Sequence, residues 1–137
     1  MDPTPVPPSP LSGSETILLV EDEEVVRRVT RKILEHYGYA VLEATNAGEA
    51  LAVAQQHPGP IHLLLTDIIM PGMSGKELAE HWTYRYPDSK VLFMSGYTGN
   101  AIVQHGVSEE RFAFIQKPFK HDTLAGKVRE VLGPANS

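Results

Sequence analysis

Residues 61–75 read Ile-His-Leu-Leu-Leu-Thr-Asp-Ile-Ile-Met-Pro-Gly-Met-Ser-Gly, and they give the clearest indication of the fold. Asp67 ends an apolar run over 61–66, which has the length and composition of a strand buried on both faces. Ser74 and Glu77 have the spacing of a capping box, which predicts that a helix begins there. A buried strand, a short loop that begins with an acid and a capped helix are typical of a parallel α/β sheet.

The same alternation of strand and helix extends in both directions from this stretch. Val25, Val26, Val29 and Ile33 recur at helical spacing and predict an apolar stripe on the first helix. Five strands alternating with five helices predict an α/β fold whose parallel sheet is covered on both faces by right-handed crossovers. The predicted strands are 16–20, 40–44, 61–66, 90–94 and 112–116; the predicted helices are 25–37, 46–56, 74–85, a weak segment 100–106, and 122–132.

Composition and length limit the classes of protein that the chain can belong to. Its 137 residues are enough for one domain, and a formal charge of −5 argues against a nucleic-acid partner, which a basic surface would attract. The absence of cysteine excludes a disulfide scaffold and a Cys-ligated zinc site. No apolar run approaches the roughly 20 residues that span a bilayer, and no signal peptide is recognisable. We therefore expect a soluble, cytoplasmic domain that does not enter a membrane.

The two ends of the chain differ in composition from the rest. Five of the 11 prolines fall within the first ten residues, and such a segment buries too little apolar surface to fold. We predict a flexible Pro-rich tail or linker over 1–14, a folded domain over 15–133 and a short tail over 134–137.

Polar side chains stand directly after four of the predicted strands. In open parallel sheets the chemistry lies outside the carboxyl ends of the strands, so we expect Glu21, Asp22, Asp67, Ser95 and Lys117 to lie close together. Clustered carboxylates repel one another unless a cation neutralises them, and a set of oxygen ligands suits Mg²⁺. A lysine and a hydroxyl beside Mg²⁺ would clamp a phosphoryl group, which makes Asp67 a candidate nucleophile for an acyl phosphate.

At these residues the sequence resembles the receiver domain of two-component response regulators. The resemblance covers essentially all of 15–133 and rests on the acidic pair Glu21-Asp22, residues 67–75, Ser95-Gly96 and Lys117-Pro118-Phe119. The pattern Asp-x-x-Met-Pro-x-Met-x-Gly within 67–75 is highly specific. The resemblance implies a flavodoxin-like, doubly wound sheet of five strands in the order 2-1-3-4-5 with five helices.

The resemblance also implies a role for each site residue. Asp67 would be the phosphoacceptor, and Mg²⁺ would be held by Glu21, Asp22, Asp67 and the backbone carbonyl of Ile69. Ser95 and Lys117 would contact the phosphoryl group. Many members have Asp where this chain has Glu21, and we expect metal binding to be retained because the longer side chain still reaches the ion. The peptide bond Lys117-Pro118 matches one that is cis in the family.

The function implied is that of a signalling domain in a phosphorelay, with weak self-phosphorylation and self-dephosphorylation. A histidine kinase or a histidine phosphotransfer protein would donate the phosphoryl group to Asp67. Ser95 and Phe114 would then switch the surface formed by 100–106, the fifth strand and the last helix, through which a homodimer could form. Many members have Tyr at the position of Phe114, so a contact that needs the hydroxyl is lost here. The chain is expected to be either a stand-alone regulator or a receiver from a longer protein. The Ser95-Gly96-Tyr97-Thr98 stretch and the Pro-rich start resemble receivers fused to the carboxyl end of hybrid sensor kinases.

Two residues bear on the lifetime of the phosphoryl group. Ile69 and Tyr97 lie two positions after Asp67 and Ser95, at places that flank the phosphoryl group in the family. Both are bulky, and neither carries a carboxylate or carboxamide that could orient an attacking water. We therefore expect self-dephosphorylation over many minutes or longer.

Three other functions are considered for this sequence. A haloacid-dehalogenase-like enzyme also forms an aspartyl phosphate, but it places Asp-x-Asp after the first strand, where this chain has Glu21-Asp22-Glu23. A flavodoxin-like flavin carrier needs an anion-binding loop there, and four consecutive acids would repel a phosphate. A receiver that only binds partners would not need the full set of site residues.

Overall fold

The computed structural model describes residues 12–70, 72–95 and 113–133, and these form an α/β fold around one parallel sheet. Its five strands lie in the order β2-β1-β3-β4-β5, which confirms the predicted architecture. All four strand pairings are parallel, with Ile17 of β1 beside Leu63 of β3. The strands are β1 Thr16–Val20, β2 Ala40–Ala44, β3 Leu63–Asp67, β4 Lys90–Ser95 and β5 Ala113–Gln116.

Within the described residues there are four helices, which follow β1, β2, β3 and β5. They are α1 Glu24–His36, α2 Ala47–Gln56, α3 Gly75–Arg85 and α4 His121–Leu132. Ser74 and Glu77 form both hydrogen bonds of the predicted capping box, and the Asn46 side chain accepts from the backbone N–H of Glu49 to cap α2. The predicted weak helix 100–106 lies outside the described residues.

The core consists of two apolar layers, one on each face of the sheet. Side chains of α2 and α3, among them Ala50 and Trp82, pack on one face, and side chains of α1 and α4, among them Leu34 and Val128, pack on the other. The three leucines of β3 are fully buried, and each such side chain contributes roughly 2 kcal/mol to the free energy of unfolding. A strand anchored on both faces gives the residue at its end, Asp67, a fixed position.

The apolar stripe predicted for α1 is only partly buried. Val25 and Val29 are 72% and 49% exposed, whereas the buried residues of this helix are Thr30, Ile33 and Leu34. The reason is that the first turns of α1 extend beyond the carboxyl edge of the sheet, where they line a surface pocket instead of the core.

The start of the described chain contacts the folded domain. The backbone N–H of Gly13 donates to the carbonyl of Tyr37 at 3.0 Å, and Arg129 donates to the carbonyl of Ser12. Residues 1–11 and 134–137, which make up most of the two predicted tails, lie outside the described residues. Among the helices described, none is long and apolar enough to cross a membrane.

Candidate functional site

Asp67 lies at the carboxyl end of the central strand, 5% exposed. The loop that follows it turns back at once, because the backbone N–H of Gly75 donates to the carbonyl of Ile68 at 2.7 Å. A side chain at position 75 would overlap the carbonyl oxygen of Asp67, so only glycine permits this close approach. The capped start of α3 therefore holds the backbone of Asp67 in place.

Glu21 and Asp22 follow β1, next to Asp67 on the sheet edge. Glu21 is fully buried, whereas Asp22 is exposed. The backbone N–H of Glu21 donates to the carbonyl of Ala44 at 3.1 Å, which continues the pairing of β1 and β2 by one residue. The backbone N–H of Glu23 donates to Oε2 of Glu21 at 3.1 Å.

Lys117 connects two of the three acids. Its Nζ lies 2.7 Å from Oδ1 of Asp67 and 3.0 Å from Oε1 of Glu21. The residue follows β5, and its backbone N–H donates to the carbonyl of Ser95 at 2.7 Å, which fixes the ends of β4 and β5 relative to each other. The peptide bond Lys117-Pro118 is cis, as the resemblance implied.

One lysine stands beside two buried carboxyl groups in this cluster, and the pKa values of all three groups are shifted as a result. Burial and, after it, the nearby Glu21 carboxylate together raise the pKa of Asp67 to about 8, against the opposing effect of Lys117. Burial would also raise the pKa of Glu21, but hydrogen bonds with Asp67, Glu23 and Lys117 bring it below its ordinary value. Burial would lower the pKa of Lys117, yet the two carboxylates beside it raise it. Folding therefore favours the protonated form of Asp67 as long as no further cation is present.

The donor set fits a hard divalent cation. Carboxylate oxygens of Glu21, Asp22 and Asp67 all lie within 4.8 Å of one another. No cysteine or histidine belongs to the cluster among the described residues, and oxygen ligands alone favour Mg²⁺ over zinc. A cation here would favour the ionised form of Asp67, because it would compensate the charge that burial makes costly.

Two of the remaining candidate residues line a pocket at this edge of the sheet, which has a volume of about 700 Å³. Ser95, buried at the end of β4, and Ile69, 43% exposed, are part of its wall together with Asp67 and Lys117. Phe114 does not line the pocket; it packs on the core, with its ring 5.5 Å from that of Phe93 in the neighbouring strand. Tyr97 lies outside the described residues.

Two residues near the site were not predicted from the sequence. Arg27 of α1 donates from Nη1 to the backbone carbonyl of Glu21 at 3.0 Å, and from Nε to Oε1 of Glu43 in β2 at 3.2 Å. Neither residue belongs to a motif, and a charged residue on an amphipathic helix is usually solvent-facing. The only signal in the sequence is that Arg27 lies about one turn into the helix that follows the acidic pair.

Comparison with known proteins identifies what this geometry resembles. The family described as "Response regulator receiver domain" matches residues 17–129. The chain is 38% identical over 122 residues to the sensor kinase CckA of Brucella abortus (strain 2308), covering 89% of this chain but 13% of that protein. It is 36% identical over 116 residues to the response regulator receiver protein CpdR of the same strain, covering 85% and 95% of the two chains.

A solved structure gives the same result for the fold. The CheY-like response regulator receiver domain protein from Methanospirillum hungatei JF-1 superposes with a TM-score of 0.72 at 32% sequence identity, covering 88% of this chain and 94% of that one.

Proposed function

The chain belongs to the response regulator receiver domain family, and we propose that it accepts a phosphoryl group on Asp67 from a phosphohistidine. The observation that carries this proposal is the convergence of Glu21, Asp22, Asp67 and Lys117 on one edge of the sheet. A histidine kinase or a histidine phosphotransfer protein is the proposed donor. The proposal includes a cytoplasmic location, with which the lack of cysteine is compatible.

The proposed transfer joins an oxygen of Asp67 to phosphorus while the bond from phosphorus to the donor imidazole breaks and its electron pair returns to the ring. The attacking carboxylate must be ionised, and the raised pKa of Asp67 opposes this when no cation is bound. Mg²⁺, held by Asp22, Asp67, Glu21 and the carbonyl of Ile69, would neutralise carboxylate charge and contact phosphoryl oxygens when bound.

Lys117 is the residue that we expect to change partners. Its Nζ contacts Asp67 and Glu21, and a phosphoryl group on Asp67 would add a stronger acceptor within its reach. The proposed switch continues through the Ser95 hydroxyl at the end of β4 and the Phe114 ring in β5. A homodimer through the surface of 100–106, β5 and α4 stays a prediction, since 100–106 lies outside the described residues.

The relatives differ in what accompanies this domain. The chain spans 13% of the length of the sensor kinase CckA and 95% of the receiver protein CpdR. We propose that the receiver operates within a hybrid sensor kinase, because the match to a sensor kinase and the Pro-rich start both favour it.

The proposal is tested by phosphorylation with acetyl phosphate and Mg²⁺, followed by mass spectrometry of the intact protein and of its peptides. We expect one phosphoryl group, located on Asp67, and none in the Asp67→Asn variant. Asp88→Asn, which changes an exposed acid in the turn before β4, is the matched control and should be phosphorylated normally. Normal phosphorylation of Asp67→Asn, or turnover of a generic phosphate ester typical of a phosphatase, would contradict the proposal.

We also propose that the phosphorylated form loses its phosphate slowly, over many minutes or longer. Ile69 is apolar and 43% exposed on the pocket wall, so it offers no group that could orient an attacking water. The measurement is phosphate release after removal of the donor. Replacing Ile69 with Asn or Glu should shorten the lifetime, and a half-life of seconds in the unmodified protein would refute this part of the proposal.

A further inference from the structure

The carboxylate of Asp22 has no side-chain contact that could position it. Within residues 12–70, 72–95 and 113–133, no hydrogen bond or ion pair of this side chain is formed, and the residue is exposed. A candidate cation ligand of this kind depends on its backbone for placement. The backbone in question is the turn that starts at Glu21.

Glu21 is held at each of its polar groups. Its N–H donates to the carbonyl of Ala44 at 3.1 Å, its Oε2 accepts from the N–H of Glu23, and its Oε1 accepts from Lys117. Its carbonyl accepts from Nη1 of Arg27 at 3.0 Å. This last contact is the one that acts on the peptide unit shared by Glu21 and Asp22.

Arg27 is itself fixed by β2. Its Nε donates to Oε1 of Glu43 at 3.2 Å, and the second oxygen of Glu43 accepts from Arg31 at 2.6 Å. The Arg27 side chain is 17% exposed, in contrast to 59% for the neighbouring Arg28, whose ion pair is with Glu24 on the surface. Glu21 is thus held by two adjacent residues of β2. Ala44 binds it directly, and Glu43 acts through Arg27.

We infer that Arg27 is a positioning residue for the cation site: its guanidinium, anchored by Glu43, holds the Glu21-Asp22 peptide so that the exposed Asp22 carboxylate faces Asp67. This inference rests on the proposed function, since it assigns Asp22 to the Mg²⁺ site. The planar fork of arginine matters here, because Nε and Nη1 are separate donors in a fixed geometry that reaches Glu43 and the Glu21 carbonyl together, whereas lysine carries its charge on one nitrogen at the end of a flexible chain.

The test is Mg²⁺ titration of the full chain followed by backbone amide NMR, comparing the unchanged protein with Arg27→Lys. The substitution keeps the charge, so electrostatic repulsion of the cation is unchanged and only the two-acceptor geometry is lost. We expect the dissociation constant for Mg²⁺ to rise about tenfold, as for loss of a group that orients a metal ligand. We also expect the Asp22 and Glu23 amide signals to shift before Mg²⁺ is added.

Two further variants make the outcome decisive. Arg28→Lys changes the adjacent residue and should leave both Mg²⁺ affinity and the Asp22 signal unchanged. Glu43→Gln, which removes the anchoring charge, should weaken Mg²⁺ binding by less than Arg27→Lys. If Arg27→Lys binds Mg²⁺ within a factor of two of the unchanged protein, the inference is wrong while the proposed function stands. If the unchanged protein binds no Mg²⁺, both are overturned.

Discussion

The two ends of the sheet each bury charged groups, but they balance them differently. At the amino end, Arg129 of α4 donates to both carboxylate oxygens of Glu15 and, at 3.0 Å, to the hydroxyl of Tyr39. At the carboxyl end, one lysine stands beside the two buried acids Glu21 and Asp67.

The pKa values express this difference. The hydrogen bonds from Arg129 lower the pKa of Glu15, so its ionised form is favoured by folding. Burial raises the pKa of Asp67 to about 8, so folding disfavours its ionised form. The amino end pairs its charges within the chain, whereas the carboxyl end has two buried carboxylates beside one lysine among the described residues.

The largest effect is expected at the amino end. Arg129→Met keeps part of the packing on Tyr39 but leaves Glu15 without its partner, and breaking a largely buried ion pair costs about 3 kcal/mol. Urea unfolding should show this loss, while Mg²⁺ affinity should not change. Lys127→Met, which removes an exposed pair with Glu130 on the same helix, is the control and should change stability by less than about 0.5 kcal/mol. Equal stability of the two variants would show that the Arg129–Glu15 pair does not stabilise the domain more than the Lys127–Glu130 pair does.

The second-largest effect is expected at the carboxyl end, where replacing Asp67 should increase the free energy of unfolding in a way that depends on pH. The unfolded chain releases the Asp67 proton near its ordinary pKa of 3.8 and the folded chain releases it at about 8. Between these values the folded state binds more protons, so stability without divalent cations falls as the pH rises. Asp67→Asn should therefore raise the free energy of unfolding at pH 8 and leave it nearly unchanged below pH 4.

Urea unfolding in the presence of a chelator at both pH values measures this gain. Asp88→Asn provides the control, because that exposed acid should give no pH-dependent difference. A destabilising effect of Asp67→Asn at pH 8 would mean that the ionised Asp67 carboxylate does not lower the stability of the folded domain.

The smallest effect concerns the exposed member of the acidic cluster. Asp22→Ala should weaken Mg²⁺ binding roughly tenfold or more, equivalent to about 1.4 kcal/mol, with little change in stability. Glu23→Ala removes the next exposed acid while retaining the backbone N–H that binds Glu21, so it should bind Mg²⁺ almost normally. Equal losses in the two variants would show that Mg²⁺ responds to general negative charge instead of to a site.

Much of the fold could be predicted from local patterns. The buried run before Asp67 and the capping box at Ser74 identified the central unit, because burial on both faces and helix capping each leave a clear mark in the sequence. Val25 and Val29 show the limit of such patterns. Their spacing predicts a helix correctly, but only the position of the sheet edge determines that these turns are exposed.

The acidic residues of the candidate site were named from the sequence, but the arginine that holds the backbone next to them was not. Glu21, Asp22, Asp67 and Lys117 each stand at a strand end, so topology alone brings them together. Arg27 and Arg129 act through partners 16 and 114 residues away, Glu43 and Glu15 respectively. A single basic residue on a helix carries no sign of such a partner, because the contact depends on how helices pack against the sheet.

The central claim is that the carboxyl end of the sheet is completed by a cation and a phosphoryl group while the amino end is already complete. A crystal structure with Mg²⁺ and beryllofluoride, a phosphoryl mimic, tests it most directly. We predict beryllofluoride on Asp67, Mg²⁺ in contact with Asp22 and Asp67, Lys117 moved from Glu21 towards the fluorides, and Arg129 still paired with Glu15. Beryllofluoride bound elsewhere, or Lys117 keeping both of its carboxylate contacts at saturating ligand, would contradict the account.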